Sequence, residues 1–99
     1  MNKQQIYELK WYYDYWADIE KFCPIGSTIT CKTTRIQPSY AFLKTKEGLI
    51  CFLSKDKVST KRKFADLTLI LSSDIEYTCT VLSYDLESSR LVIALNLNH

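Results

Sequence analysis

The segment VLSYDLESSRLVIALNL, at residues 81–97, constrains the fold more than any other part of this chain. Two apolar runs flank a short polar break, and in the second run large aliphatic residues recur at every second position. A period of two is typical of a β-strand with one buried face, so the segment predicts an antiparallel β-hairpin. We expect strands at 75–84 and 90–97. One side of the first carries Ile75, Tyr77, Cys79 and Val81, and the side chains that point inward from the second are Leu91, Ile93, Leu95 and Leu97.

Strand patterns also fill the segment upstream of this hairpin, from Gly26 onward. We expect three further strands, at 28–36, 40–44 and 49–53. A bulge or bend near Thr34 would explain why Ile36 departs from the preceding alternation. The apolar patch at 67–71 fits no single element type. Five strands in a chain of 99 residues predict a Greek-key barrel of the OB type rather than a sandwich, which usually has about seven strands.

The start of the chain carries a different pattern. Its apolar residues recur at spacings of three and four, which predicts an amphipathic helix over 3–22. These residues are Ile6, Leu9, Tyr13, Trp16 and Ile19. The helix should end at Cys23, because the residue before a proline disfavours the helical conformation. We therefore predict a mainly β fold, with an N-terminal α-helix in 1–23 followed by a five-stranded barrel domain in 24–99.

The positive charges are concentrated in one stretch. Residues 55–63 read KDKVSTKRK, with five positive residues against one negative, whereas the whole chain has a net charge of only +2. We expect a basic loop that runs to about Asp66 and contacts phosphate groups, because the local field matters more than the total charge. An ordinary solvated loop is the alternative.

The cysteines and the histidine argue against a metal site and against common catalytic sets. The four cysteines stand far apart in sequence and the single histidine is residue 99. We find no zinc-ligand spacing, Ser-His-Asp set or Gly-rich phosphate loop, and we expect no cofactor and no catalysis. No signal peptide and no apolar stretch of about 20 residues is visible. We expect a cytoplasmic protein without membrane contact, its reduced thiols packed as small hydrophobic side chains.

Several motifs of the chain occur together in one known family. Gly26 precedes the first strand, Tyr40-Ala41-Phe42 lies on the second, and Gly48-Leu49 leads into the third. The final hairpin carries an acid and an arginine at the two ends of its turn. From about residue 24 to its end, the chain thus resembles the S1 RNA-binding domain, a member of the OB group. The hairpin is the most specific element of the resemblance. Three positions depart from the family pattern: Ser39, Tyr40 and Cys51.

The resemblance implies where nucleic acid would bind. In the family, the acid and the arginine of the final hairpin lie on the binding face, which gives this role to Asp85 and Arg90. An arginine there contacts phosphate or stacks on a base, while the aspartate orients it or accepts from a 2′-hydroxyl. Alternatively, the pair only pins the hairpin. The predicted nucleic-acid contacts are Arg35, Tyr40, Phe42, Phe52, Lys55, Lys57, Lys61, Arg62, Lys63, Asp85 and Arg90.

Two functions follow as hypotheses. The first is a non-catalytic module that binds single-stranded nucleic acid, RNA rather than DNA. The second is a protein-interaction adaptor, or a small regulator or inhibitor of the ribosome or a nucleic-acid enzyme, with the barrel as scaffold. In the second, Trp11, Tyr12 and Tyr15 of the helix would contact the partner, because tyrosine and tryptophan are enriched at interfaces. A helix that only packs on the open end of the barrel is the alternative.

Overall fold

The computed structural model describes residues 16–61 and 63–97. A helix, α1, covers residues 16–22, and a short 3₁₀ turn covers Leu67–Leu69. The remaining regular structure is β, and the predicted mainly β fold with one N-terminal helix is confirmed. The strands are β1 at Thr28–Ile36, β2 at Tyr40–Thr45, β3 at Ile50–Ser59, β4 at Glu76–Asp85 and β5 at Arg90–Asn96.

The five strands form a closed barrel in the order β1-β2-β3-β5-β4. β1 pairs with both β2 and β4, which closes the ring. β3 and β5 run parallel, whereas the other neighbouring strands are antiparallel. A closed ring of five strands with this order is the OB architecture. Because the ring is closed, each strand of the barrel has a hydrogen-bonded neighbour on both sides.

The bulge predicted in the first strand is present. The register between β1 and β2 shifts between Thr33 and Arg35, so one extra residue is inserted at this point. Before the shift, Cys31 and Thr33 are buried; after it, Ile36 pairs with the buried Ala41. The bulge therefore lets both halves of a strand with a broken alternation face the same core.

The core is formed by alternate residues of every strand. The largest fully buried side chains are Leu43, Leu53, Leu67, Leu91, Ile93, Val81, Cys31, Cys51 and Cys79. Leu67 belongs to the apolar patch at 67–71, whose first residues form the 3₁₀ turn. The Leu67 backbone N–H donates to the Pro38 carbonyl at 2.9 Å. The Asp66 carboxylate caps this turn by accepting from the Thr68 backbone N–H at 2.8 Å. The turn thus inserts a leucine into the core.

Two predicted strand boundaries are wrong. β3 continues to Ser59 instead of ending at Leu53, so the expected basic loop begins as a strand. Its far half pairs with β5 through Val58 and Leu95, a contact between distant parts of the chain that local polarity conceals. β4 begins at Glu76 instead of Ile75, which precedes the strand and is 47% exposed. The Ile75 carbonyl accepts from the Thr33 backbone N–H at 3.0 Å, and the Ile75 N–H donates to the Thr33 side-chain hydroxyl at 3.2 Å, next to the bulge.

The described part of the predicted helix packs on the barrel. Trp16 and Ile19, two members of the predicted stripe, are buried. The Trp16 ring lies 5.9 Å from the Tyr84 ring, and the Tyr84 hydroxyl donates to the Cys23 carbonyl at 2.6 Å. The remaining stripe residues and the predicted partner contacts Trp11, Tyr12 and Tyr15 lie outside the described residues. In the part of the chain that the structure covers, no helix is long and apolar enough to cross a membrane.

Candidate nucleic-acid interface

Three aromatic side chains form one cluster on the outside of the barrel, which we call the aromatic wall. Tyr40 and Phe42 lie on β2 and Phe52 lies on β3. They point outward because successive side chains of a strand alternate between its two faces, and neighbours such as Ala41 and Leu43 point into the core. The ring centroids are 5.6 Å apart for Tyr40 and Phe42, 5.9 Å for Tyr40 and Phe52, and 5.7 Å for Phe42 and Phe52. Half-buried rings at such spacing present an apolar surface on which flat groups can stack.

Arg90 covers part of this wall. Its guanidinium carbon lies 4.4 Å from the centroid of the Phe52 ring and 5.6 Å from that of Phe42. β5 lies beside β3, with Phe52 paired to Val92, and this pairing brings the start of β5 next to the aromatic rings. A guanidinium at this distance from an aromatic ring makes a cation–π contact. The wall therefore carries a positive charge over Phe52 and beside Phe42.

Asp85 holds the arginine in this position. Its carboxylate accepts from Arg90 Nε at 3.1 Å, across the last residue pair of the β4–β5 hairpin. The Ser88 backbone N–H also donates to this carboxylate, at 3.3 Å. The hydrogen bond from Ser88 keeps the pKa of the Asp85 carboxyl below its ordinary value, and Arg90 lowers it further. The acid and the arginine thus pin the hairpin and also orient the guanidinium against the wall.

The predicted residue Arg35 lies on the same outer face. It is the partner of Phe42 across β1 and β2, and directly opposite residues of two antiparallel strands share a face of the sheet. Its side chain is exposed. The face therefore offers a second guanidinium at the edge of the wall.

The predicted basic residues separate into different places. A surface groove borders the far half of β3, and we call it the basic groove. It is lined by Ser39, Ser54, Lys55, Asp56, Val58, Thr60, Lys61, Lys63 and Phe64. Lys57 is exposed on β3 and does not line the groove, and Arg62 lies outside the described residues.

Lys55 is engaged within the protein. Its ammonium donates to the Ala65 carbonyl and lies 5.7 Å from the centroid of the Phe64 ring. Lys61 and Lys63, by contrast, are exposed. Of the lysines that line the basic groove, these two are better placed to contact phosphate.

The basic groove begins where the aromatic wall ends. Ser39 immediately precedes Tyr40 in the chain, and Ser54 is the partner of Tyr40 across β2 and β3. Both serines line the groove. The wall and the groove are therefore neighbouring parts of one face.

Sequence reasoning missed three outer residues at the opposite end of the wall and one in the groove. Lys44 pairs with Ile50 across β2 and β3, and with Lys32 across β1 and β2, so all three share the outer face of the wall. The alternation along the strands could have predicted the outward position of Lys44, two residues from Phe42, and of Ile50, two residues from Phe52. Phe64 lies in an irregular segment, where no periodicity marks it.

The interior of the barrel holds the thiols. All four cysteines are free and buried, and the sulfurs of Cys31 and Cys51 are 3.5 Å apart. The hydrogen bonds shared with Cys31, together with burial, raise the pKa of both Cys51 and Cys79 above the ordinary value of a thiol. Within residues 16–61 and 63–97, no set of three or more His, Cys, Asp or Glu side chains is arranged to hold a metal ion.

Solved structures with the same architecture define the class of this fold. No protein-family model matches the sequence, and no curated protein matches it significantly. A chain of the a/eIF2alpha–aDim2p–rRNA complex from Pyrococcus horikoshii matches with a TM-score of 0.64 and 19% identity, over 73% of this chain and 44% of that one. GSP13 from Bacillus subtilis matches with a TM-score of 0.63 and 25% identity, over 72% and 54%. The alpha subunit of aIF2 from Pyrococcus abyssi matches with a TM-score of 0.59 and 20% identity, over 73% and 28%.

These likenesses, with the closed five-stranded barrel, make the chain an OB-fold protein. Within that class its architecture is S1-like, and the resemblance drawn from the sequence is confirmed at the level of fold. The chain spans about half or less of the length of these three proteins.

Proposed function

We propose that this barrel binds single-stranded nucleic acid, RNA rather than DNA, without catalysing a reaction. The observation that carries the proposal is the aromatic wall with Arg90 held on it by Asp85. Aromatic rings and a guanidinium plane are the surfaces on which the unpaired bases of a single strand stack. Exposed cations beside the wall, Arg35 and Lys44 among them, would contact the phosphates.

The preference for RNA is supported by the carboxylate on this face. Asp85 accepts hydrogen bonds from Ser88 and Arg90, but an ionised carboxylate has about four acceptor sites. A free site can accept a 2′-hydroxyl, which only RNA provides. One of the similar structures is a complex that contains rRNA, which agrees with this preference.

The remaining expectations are also proposals. The four free cysteines fit a reducing compartment, and we place the protein in the cytoplasm. Contact with a ribosome or another protein through Trp11, Tyr12 and Tyr15 depends on residues outside the described ones and stays a hypothesis.

Fluorescent single-stranded RNA and DNA of the same sequence test the proposal. We expect both to bind at low salt, RNA more tightly, and the affinity to fall as salt rises because phosphate contacts release counterions. The variant Phe42→Ala should weaken binding by about 1–3 kcal/mol per stacked base. Phe22→Ala is the matched control, because Phe22 is 82% exposed on α1 and lies outside the wall and the groove. Absence of binding to either nucleic acid at low salt would contradict the proposal.

A further inference from the structure

We infer that the basic groove is a second nucleotide subsite, in which a base stacks on Phe64 while Lys61 and Lys63 contact the adjoining phosphate. The inference rests on the proposed function, because it extends the path of a strand already bound on the aromatic wall. It assigns a stacking role to Phe64, which lies outside the wall, and it implies that the bound strand is longer than the wall alone would accommodate.

Continuity of the surface is the first support. Ser39 and Ser54 line the groove and flank Tyr40, the last ring of the wall, one along the chain and the other across the sheet. A strand stacked on Tyr40 therefore continues into the groove.

The fixed position of Phe64 is the second support. The ring is half-buried and packs against the hydrophobic core, yet it also lines the groove. The Lys55 ammonium, tied to the Ala65 carbonyl, lies 5.7 Å from the ring centroid. A ring that is held by the core and a neighbouring cation is an ordered platform, so little conformational entropy is lost when a base stacks on it.

The charges inside the groove set the orientation of the nucleotide. The Ser54 hydroxyl donates to the Asp56 carboxylate, and a carboxylate repels phosphate. The exposed ammonium groups of Lys61 and Lys63 attract it. The phosphate thus belongs beside the two lysines, and the uncharged base belongs on the ring.

An oligonucleotide length series tests the inference. Single-stranded RNAs of about 3 to 10 nucleotides span the lower site sizes of OB folds. We expect affinity to rise by about fivefold or more at the length that first fills the groove, which corresponds to one stacked base. Phe64→Leu, which keeps apolar packing on the core, should remove this gain and leave the affinity for shorter RNAs unchanged. Phe64→Tyr should keep the gain, and Phe22→Leu should leave every length unchanged.

An abasic nucleotide at the end of the longer RNA separates base stacking from phosphate contact. Loss of the gain supports the inference. Retention of the gain with the abasic RNA, or in Phe64→Leu, would show a phosphate site only and overturn it. So would the lack of any step with length, or an equal effect of Phe64→Leu on short and long RNAs. If no RNA of any length binds, the proposed function fails and the inference fails with it.

Discussion

At the scale of single residues, the position of Arg90 is the most informative feature. Its guanidinium is 4.4 Å from the Phe52 ring centroid, and its Nε donates to Asp85. A planar fork can stack on a ring and donate to a carboxylate at the same time, whereas an ammonium is a point charge. The arrangement therefore depends on the shape of the side chain as well as on its charge.

The first prediction follows from this shape. Arg90→Lys keeps the charge and should weaken RNA binding by about 1 kcal/mol or more, because one stacking surface is lost. Lys46→Arg, in the turn between β2 and β3 and away from the wall, is the charge-conserving control. Fluorescence anisotropy with one RNA at fixed salt measures both. Equal affinity of Arg90→Lys and the unmodified protein would show that only charge matters.

The second prediction concerns pH. Since the hydrogen bond from Ser88 and then Arg90 lower the folded-state pKa of Asp85 below its unfolded value, ionised Asp85 stabilises the fold above the unfolded pKa. This contribution is lost as pH falls through the lowered pKa. In Asp85→Asn the unfolding free energy should therefore decrease less steeply as the pH falls. Urea denaturation at several pH values below about 5 measures this dependence.

Asp74→Asn is the control for this measurement. Asp74 makes an exposed ion pair with Lys32, and a surface pair of this kind contributes little. The unfolding free energy of Asp74→Asn should therefore depend on pH in the same way as that of the unmodified protein. An unchanged pH dependence in Asp85→Asn would mean that the hydrogen bonds to this carboxylate do not stabilise the folded state.

At the scale of elements, the strands with regular alternation were predictable and the extension of β3 was not. The large aliphatic at every second residue predicts a strand at 90–97, and β5 spans Arg90–Asn96. The far half of β3 reads SKDKVS, in which polar residues obscure the period. What makes it a strand is its pairing with β5, a contact between residues about 40 positions apart in the chain.

The third prediction concerns the turn between β2 and β3. Gly48 has a φ of +93°, and a Cβ added there would meet nothing within 4 Å. The cost of Gly48→Ala is therefore conformational alone, and we expect a loss of about 1–2 kcal/mol in unfolding free energy. Gly48→Asn should lose less, because asparagine adopts positive φ more readily. Urea denaturation compares the variants, and an alanine variant as stable as the asparagine variant would contradict this explanation.

At the scale of the whole molecule, the candidate site was predictable where one family pattern links distant segments. The resemblance pointed to Phe42 and Arg90, and Tyr40 and Phe52 are aromatic residues that could replace its altered stacking positions. The barrel brings these four together. Their role in binding stays a prediction. The groove was not predictable, because its shape depends on how an irregular segment returns past the end of β3, and no local pattern fixes that path.

The fourth prediction uses the thiols as reporters of the intact fold. The four cysteines follow α1 or lie on β1, β3 and β4, and each is buried. A thiol reagent at pH 8 should modify them only as fast as the barrel opens, and should modify four per chain at once in denaturant. Rapid modification of one cysteine under native conditions would show that its part of the barrel opens independently.

The parallel contact between β3 and β5 also has a consequence for synthesis on the ribosome. Residues 90–96 fill the gap between β3 and β4, and they are translated after the other four strands. Until they leave the exit tunnel, the nascent chain has two unpaired strand edges, which are templates for aggregation. The polar residues of SKDKVS on the edge of β3 would then protect the unfinished chain during this interval, since charged side chains discourage edge-to-edge association.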